Sequence, residues 1–456
     1  MRWFETSLRP ALLPAVVLAA ACSERTPPAQ RLPPARNVLL ITIDTLRADR
    51  LGAYGHPRPT SPRIDELARS AVVFDRAQST SSWTLPAMAS LLTSLYPSAH
   101  GCHNFETVLS PSYTTLGERL AGEGFATAGF TSHEIVSGRY GLDQGFQTFD
   151  TFSVYDDLPP GVTDPKDAPA NVTTADWVSD RGIEWLESAA GSADRWLLWL
   201  HYFDPHTAYV PHRGLTERFL PATGKSVEEP YYEGEILFTD QHVGRVLDAV
   251  SHLGAFDDTL IIVVADHGEE LLDHGKLGHK QSLYREVTRI PLIIRVPSAA
   301  PRRVDTTVSL VDLLPTVLDC AGLEAPEIGM GRSLKPFLLG ESLPPRAALL
   351  ELEMDRPGHR LQGLVTDRYK LVRAVESGQL SLFDLERDPA EREDLAGRNP
   401  ERDAALSGTL DRLLQAGARA AAAFDPAVVQ PLNEAELERL RALGYLGGDG
   451  GGTRSR

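Results

Sequence analysis

Val38-Leu39-Leu40-Ile41-Thr42-Ile43-Asp44 is an unbroken aliphatic and β-branched run that closes on a carboxylate. A run without polar alternation predicts a strand buried on both faces, the kind found inside parallel sheets covered by helices. Two other stretches repeat the pattern. Leu260-Ile261-Ile262-Val263-Val264-Ala265 runs into Asp266-His267-Gly268, and Trp196-Leu197-Leu198-Trp199-Leu200 runs into His201 and on to Asp204-Pro205-His206. Three core strands therefore deliver carboxylates or imidazoles at their carboxyl ends, where ligand sites gather in open α/β sheets.

Helical signals fill the space between these strands. Ser61-Pro62-Arg63 reads as an N-cap with proline in the first turn of a helix through Ala68, which feeds a strand at Val72 to Phe74. Pro86 opens a helix with Leu91 and Leu92 on its inner face, and residues 115–121 form another, stopped near Gly122 or Gly124. Residues 174–190 and 231–253 carry apolar positions at helical spacing. Alternating helices and buried strands predict an α/β fold with a large, mainly parallel central sheet flanked by helices. Past about Leu339 the character changes. Residues 347–352, 361–366 and 369–374 are short strand candidates joined by charged turns, which predicts a small C-terminal antiparallel sheet. The expected organisation is a main domain over 37–340, a subdomain over 341–425 and a tail over 426–456, with a short helical stretch at 437–445 and a Gly-rich, disordered end.

The 456-residue chain is 42% hydrophobic, enough for a large core, and its formal charge of −17 argues against a general nucleic-acid binder. Residues 1–21 carry Arg2 and Arg9 and then an apolar stretch too short to span a bilayer, which reads as an export signal. Leu18-Ala19-Ala20-Ala21-Cys22-Ser23 resembles a bacterial lipobox; ordinary signal cleavage, with Cys22 incidental, is the competing reading. Residues 22–36 are Pro-rich and polar, a stiff tether. The expected location is the periplasm or cell envelope, with contact to membrane only through lipid on Cys22. The remaining cysteines, Cys102 and Cys320, make no disulfide scaffold and have no metal-type spacing.

One segment stands apart chemically: Ser81-Ser82-Trp83-Thr84-Leu85-Pro86-Ala87-Met88-Ala89-Ser90-Leu91-Leu92-Thr93. A hydroxyl just before Pro86 and a helix start sits where unpaired backbone N–H groups favour negative charge. That place suits a nucleophile or a helix N-cap, and taken alone the N-cap is the simpler reading. The run is similar to the nucleophile segment of sulfatases, in which a cysteine or serine precedes x-Pro-Ser-Arg. So are Ile43-Asp44-Thr45-Leu46-Arg47-Ala48-Asp49, His201 to His206, and Asp266-His267-Gly268-Glu269-Glu270 through Asp273-His274-Gly275 to Gly278-His279-Lys280, each to its own segment of that family. The resemblance, to the sulfatase branch of the alkaline phosphatase-like superfamily, covers residues 37 to about 395 and implies an alkaline phosphatase-like sandwich.

It further implies a divalent cation held by Asp44, Asp266 and His267 with the Thr84 oxygen as a further ligand. The cation would lower the hydroxyl pKa and orient an anionic ester. Thr45 replaces a frequent second aspartate and His267 a frequent asparagine, so manganese, zinc, calcium and magnesium all stay open, the imidazole favouring manganese, zinc or iron. His206 falls at the family's proton donor, and His279, or secondarily Lys280, falls where a lysine touches the ester. His133 approximates an anion-contacting position; Asp204 and His274 read as supporting or second-metal groups. Met88 stands where an arginine clamp is usual, and Arg47 is the candidate replacement.

Sulfatases oxidise their cysteine or serine to formylglycine. Threonine bears a β-methyl group, so oxidation would give a ketone, and Thr84 is left to act as a plain hydroxyl. The reading is a metal-dependent ester hydrolase with a Thr84 nucleophile, with phosphate mono- or diester hydrolysis or transfer preferred. Sulfate-ester hydrolysis without formylglycine and a catalytically silent ligand-binding lipoprotein are the alternatives. The expected substrate is a small-molecule, glycan or lipid ester.

Overall fold

A computed structural model describes residues 32–152, 173–188, 193–354, 360–434, 436–437 and 440. The export signal, Cys22, most of the tether, residues 153–172 and the Gly-rich end lie outside the described residues, as does most of the helical stretch expected at 437–445. From Leu32 onward the chain makes one compact unit. Cys102 and Cys320 are free and buried. Among the described residues no helix is long and apolar enough to cross a membrane.

The main sheet has eight strands: β1 (Asn37–Ile43), β2 (Val72–Phe74), β3 (Ala126–Thr131), β4 (Thr148–Thr151), β5 (Trp196–Tyr202), β6 (Thr259–Ala265), β7 (Leu292–Arg295) and β8 (Arg302–Val304). Their order is β8-β2-β7-β6-β1-β5-β3-β4, and every pairing is parallel except the two made by β7. The mainly parallel sheet is thus present, with one reversed strand inside it. β1, β5 and β6 are buried along their whole lengths, as continuous apolar runs require when helices cover both faces.

The helices that matter for the site are α1 (Pro62–Ala68), α2 (Thr84–Thr93), α3 (Leu116–Gly122), α4 (Ala175–Ser188), α5 (Glu229–His252) and α6 (Leu313–Cys320). All ten residues of α2 are buried, so the helix that begins at Thr84 has no solvent face at all. α5 packs on α1 and α4. It also reaches the turn after β1: the Tyr232 hydroxyl donates to Thr45 O at 2.7 Å and accepts from Arg47 N at 2.9 Å.

A second sheet is an antiparallel meander of β9 (Ala348–Glu353), β10 (Arg360–Val365), β11 (Tyr369–Ala374) and β12 (Leu380–Asp384). It braces the segment that leads into α2, because Glu351 N donates to Thr80 O at 2.8 Å. A 22-residue helix, α7 (Pro400–Ala421), packs on β9 and β10 and was not expected. Its start is orthodox, with the Asn399 side chain accepting from Arg402 N at 3.0 Å. Asp403, Leu410 and Gly417 of α7 are buried, and Leu406, Leu413 and Leu414 join Leu410 in an apolar stripe that packs with Leu349, Leu364 and Leu371 of the small sheet.

Candidate active site

Strand register builds the site. Ile43 pairs with Ala265 across β1 and β6, so the next residues, Asp44 and Asp266, leave the sheet side by side. Asp44, Asp266 and His267 each place one ligand atom within 4.8 Å of the others, and all three are buried. His267 Nε2 lies 3.4 Å from Asp266 Oδ2 and 3.6 Å from Asp44 Oδ1. The other ring nitrogen, Nδ1, is 2.8 Å from Gly268 O, which only accepts, so Nδ1 carries a proton and Nε2 is the atom turned toward the carboxylates. Gly268 is required at this turn, because a Cβ would stand 2.0 Å from the Glu286 carbonyl oxygen.

Asp44 Oδ1 and Asp266 Oδ2 are buried with no hydrogen-bond partner. Burial, and after it the charge of Asp266, pushes the Asp44 carboxyl well above the usual range. Two buried carboxylate oxygens without a hydrogen-bond partner, facing one another and the His267 ring, make a place for a cation. Two carboxylates, one imidazole and a nearby hydroxyl form a donor set that fits a divalent metal.

That hydroxyl is Thr84. Its Oγ1 lies 3.4 Å from Asp44 Oδ2 and 3.3 Å from His267 Nε2. The N-cap reading does not hold: Trp83 occupies the cap, Thr84 is the first helical residue, and its side chain faces the carboxylates instead of the helix. The segment is anchored from both sides. Ser79 Oγ donates to Asp266 O, and Lys280 N donates to Ser82 O at 3.1 Å.

Imidazoles continue from the triad in series. Ring centroids are 4.7 Å apart for His267 and His279, 4.9 Å for His279 and His206, 5.8 Å for His206 and His133, and 6.3 Å for His133 and His201. Burial is the main cause that holds the proton affinities of His133, His206 and His279 well below normal and that of His201 down to about 4. These rings are therefore neutral near pH 7, and their tautomers decide what each does. His133 Nδ1 accepts from Ile135 N at 2.9 Å, so its proton is on Nε2, 3.7 Å from Asp44 Oδ2. His279 is the opposite case: Nδ1 is 2.9 Å from Glu269 Oε1, which puts the proton between them and leaves a buried Nε2 lone pair. His206 Nδ1 likewise donates to Thr207 O, and its ring stacks on Phe203.

Two residues here escaped the sequence reading of the site. Glu269 holds His279 and also accepts from Thr207 Oγ1 at 3.0 Å and Tyr209 OH at 3.2 Å, so one carboxylate ties the loop after β5 to the segment after β6. Only the adjacency to Asp266-His267 hinted at it. His201 is fully buried, with Nε2 3.7 Å from Asp44 Oδ2 and Nδ1 2.8 Å from Thr42 Oγ1. It was visible as a strand terminus, but which face of β5 it would take was not.

Lys280 and His279 divide the role that the sequence assigned to either. The Lys280 ammonium sits 5.3 Å from the Phe105 ring centroid and 5.7 Å from that of Trp83, and its charge lowers the proton affinities of His206, His279 and Asp44. It supplies the fixed positive charge, while His279 is held by Glu269.

Three expectations are corrected. Arg47 is not an anion clamp: its guanidinium is taken up by Asp49 at 2.8 Å, Asp273 at 2.7 Å and the Glu269 carbonyl at 3.1 Å. Asp204 caps α4, accepting from Thr174 N at 3.1 Å and Ala175 N at 2.7 Å, and does not face the triad. His274 stacks on Tyr284 and its Nε2 bonds to Ala390 O at 3.1 Å, which leaves it no role as a second-metal ligand.

Asp204 carries a consequence for stability. Burial, and then Glu235, pushes its carboxyl up to about 8, and burial pushes Glu235 to about 8 as well. Both acids bind protons more tightly folded than unfolded, where they titrate near pH 4. The favourable contribution is complete below about pH 4 and is lost as pH rises toward about 8. Denaturant unfolding should therefore show stability falling across that window, with a shallower slope in Glu235→Gln; an unchanged slope would remove the pair as its source.

The sulfatase family model matches residues 36–323, and the model described as "N-sulphoglucosamine sulphohydrolase, C-terminal" matches residues 273–416. Arylsulfatase K of Bos taurus is 26% identical over 449 residues, covering 85% of this chain and 82% of its own. The multifunctional alkaline phosphatase superfamily protein PehA of Trinickia caryophylli is 27% identical over 473 residues, covering 79% and 91%. Among solved structures, the phosphonate monoester hydrolase of Agrobacterium radiobacter superposes with a TM-score of 0.72 at 23% identity, covering 85% of this chain and 96% of the other.

Proposed function

The chain belongs to the sulfatase family of metal-dependent ester hydrolases, and from that premise we propose that it cleaves phosphate mono- or diesters by direct attack of the Thr84 hydroxyl. The observation that carries the reading is the position of Thr84 Oγ1, 3.4 Å from Asp44 and 3.3 Å from His267, in a segment with no cysteine or serine at that place. Asp44, Asp266 and His267 would hold the cation, which supplies charge neutralisation for the bound ester and lowers the pKa of the hydroxyl.

The chain's own groups account for the proton. An imidazole lone pair, at His279 Nε2, takes the Thr84 proton as Oγ1 bonds to phosphorus and the bond to the leaving oxygen breaks. The leaving oxygen, in line on the opposite side of phosphorus, takes its proton from solvent, while Glu269 stabilises the charged ring. Water attack in line with the Thr84 ester bond, its proton passing to solvent, releases phosphate, and the imidazolium returns its proton to the Thr84 oxygen. Lys280 and the His133 Nε2–H offer positive charge and a donor to the anionic oxygens.

A second reading, sulfate-ester hydrolysis by the same attack, draws on the family and on relatives such as arylsulfatase K. Aryl phosphate monoester, aryl phosphate diester and aryl sulfate, each assayed across a panel of divalent metals, separate the two. Faster turnover of sulfate than of either phosphate would reject the preferred reading. Glu269→Gln is expected to lower kcat by about 10²–10⁴-fold with little change in KM and to displace the limb of the pH profile that reports the base. An unaltered pH profile would reduce Glu269 to a structural group.

A further inference from the structure

A cavity of about 290 Å³ opens between the main sheet and the small one, and none of Thr84, Asp44, Asp266 and His267 lines it. Four cationic side chains do: Arg76, Arg285, Arg289 and Lys370. Two of them are neutralised in place. Arg76 pairs with Asp305, and Lys370 Nζ lies 2.9 Å from Glu391 Oε1. The remaining wall carboxylate, Asp75, is held from outside the cavity by Arg303.

Arg285 and Arg289 are left over. Among the described residues neither guanidinium has a carboxylate within ion-pairing distance, and the hydrogen bond made by the Arg289 side chain runs from Nε to the neutral Asp75 carbonyl at 2.9 Å. Burial first, and then the Arg285 charge, lowers the proton affinity of Arg289. The same wall contains Thr307, 1% exposed, whose Oγ1 is buried without a hydrogen-bond partner. Two guanidiniums with no direct ion pair and an unpaired hydroxyl leave donors without acceptors in one cavity wall of a chain of net charge −17, the Asp49 charge reaching both arginines from outside the cavity.

We infer that this cavity is a second oxyanion site, taking one tetrahedral dianion, sulfate or phosphate, between Arg285 and Arg289 with the Thr307 hydroxyl as a further donor. Guanidinium forks match the oxygens of such an anion in pairs, and two of them balance its charge. The cavity volume, near the lower end for ligand pockets, accommodates the free anion or the charged group of a larger ester. The site stands independently of the Thr84 reading, since it shares no residue with it.

The test is isothermal titration of the full chain in chelator, which empties the catalytic cation site. Inorganic sulfate and inorganic phosphate are each titrated at constant ionic strength balanced with chloride. One saturable equivalent is expected, weakened tenfold or more in Arg285→Gln and in Arg289→Gln, and weakened to a smaller extent in Thr307→Val. Turnover of a small aryl ester by Arg285→Gln is expected to stay at the wild-type value. A polysulfated disaccharide forms the other arm: tighter binding than sulfate assigns the site to ester groups of a polyanionic substrate, and weaker binding assigns it to the free anion. No saturable binding in the wild type, or equal binding by wild type and both arginine variants, overturns the inference.

Discussion

Thr84→Ala is expected to lower kcat for the best ester by about 10⁴-fold or more, since removal of a nucleophile costs as much as loss of the whole catalytic group acting with it. Binding of metal should survive, because Asp44, Asp266 and His267 supply the charged donors and the hydroxyl only adds to them. Thr84→Ser is the control. It keeps a hydroxyl at the same point and is expected to retain most of the turnover, which separates loss of the oxygen from loss of packing in the fully buried α2. Rapid quenching of the wild type with an aryl phosphate, followed by peptide mass analysis, should show a phosphoester on Thr84. Turnover unchanged in Thr84→Ala would end the nucleophile proposal.

The parts of this architecture that the sequence exposes are those where one physical cause dominates. β1, β5 and β6 are continuous apolar runs because both faces are covered, and their termini announce Asp44, His201 and Asp266. α5 reads clearly because its buried positions recur at helical spacing. β3 and β4 are harder, since Ala126–Thr131 is small and mixed and Thr148–Thr151 is an edge strand with alternating exposure. α7 carries its signal in the residues themselves: Leu406, Leu410, Leu413 and Leu414 recur at helical spacing behind the Asn399-Pro400 start, although only three of its residues are fully buried.

Within the site, residue types at strand ends were legible while facing was not. Arg47 looked like spare positive charge until Asp49 and Asp273 closed on it, a pairing between residues 226 apart that no local pattern encodes. Glu269 is the complementary case. Its neighbours in sequence suggested the metal segment, yet its work is across space, on His279, Thr207 and Tyr209. The helix-capping explanation of Thr84 failed because capping requires a side chain turned back on its own helix, and strand register had already placed Asp44 and Asp266 beside it.

Asp44→Asn is expected to reverse the order of stability between the metal-free and metal-loaded states. Without metal, the wild-type fold confines two carboxylates, each with a buried oxygen that has no hydrogen-bond partner, and Asp44 is held far from its normal ionisation. An amide of the same shape removes that penalty, so the metal-free variant should be more stable than metal-free wild type by on the order of 1–2 kcal/mol. With metal the sign changes. Loss of an anionic ligand should weaken the cation by more than about 100-fold, the upper end for losing an outer partner. Ligand linkage then stabilises the wild type by about 2.7 kcal/mol at a metal concentration 100 times its dissociation constant, and the variant by far less. Denaturant unfolding of both proteins, in chelator and in excess metal, reads the crossing directly. If wild type and variant keep the same rank in both conditions, Asp44 is a buried structural carboxyl and the cation is held elsewhere. If they cross, Asp44 is a ligand whose cost in the empty fold is offset by the ion, which is the arrangement the Thr84 hydroxyl needs beside it to react.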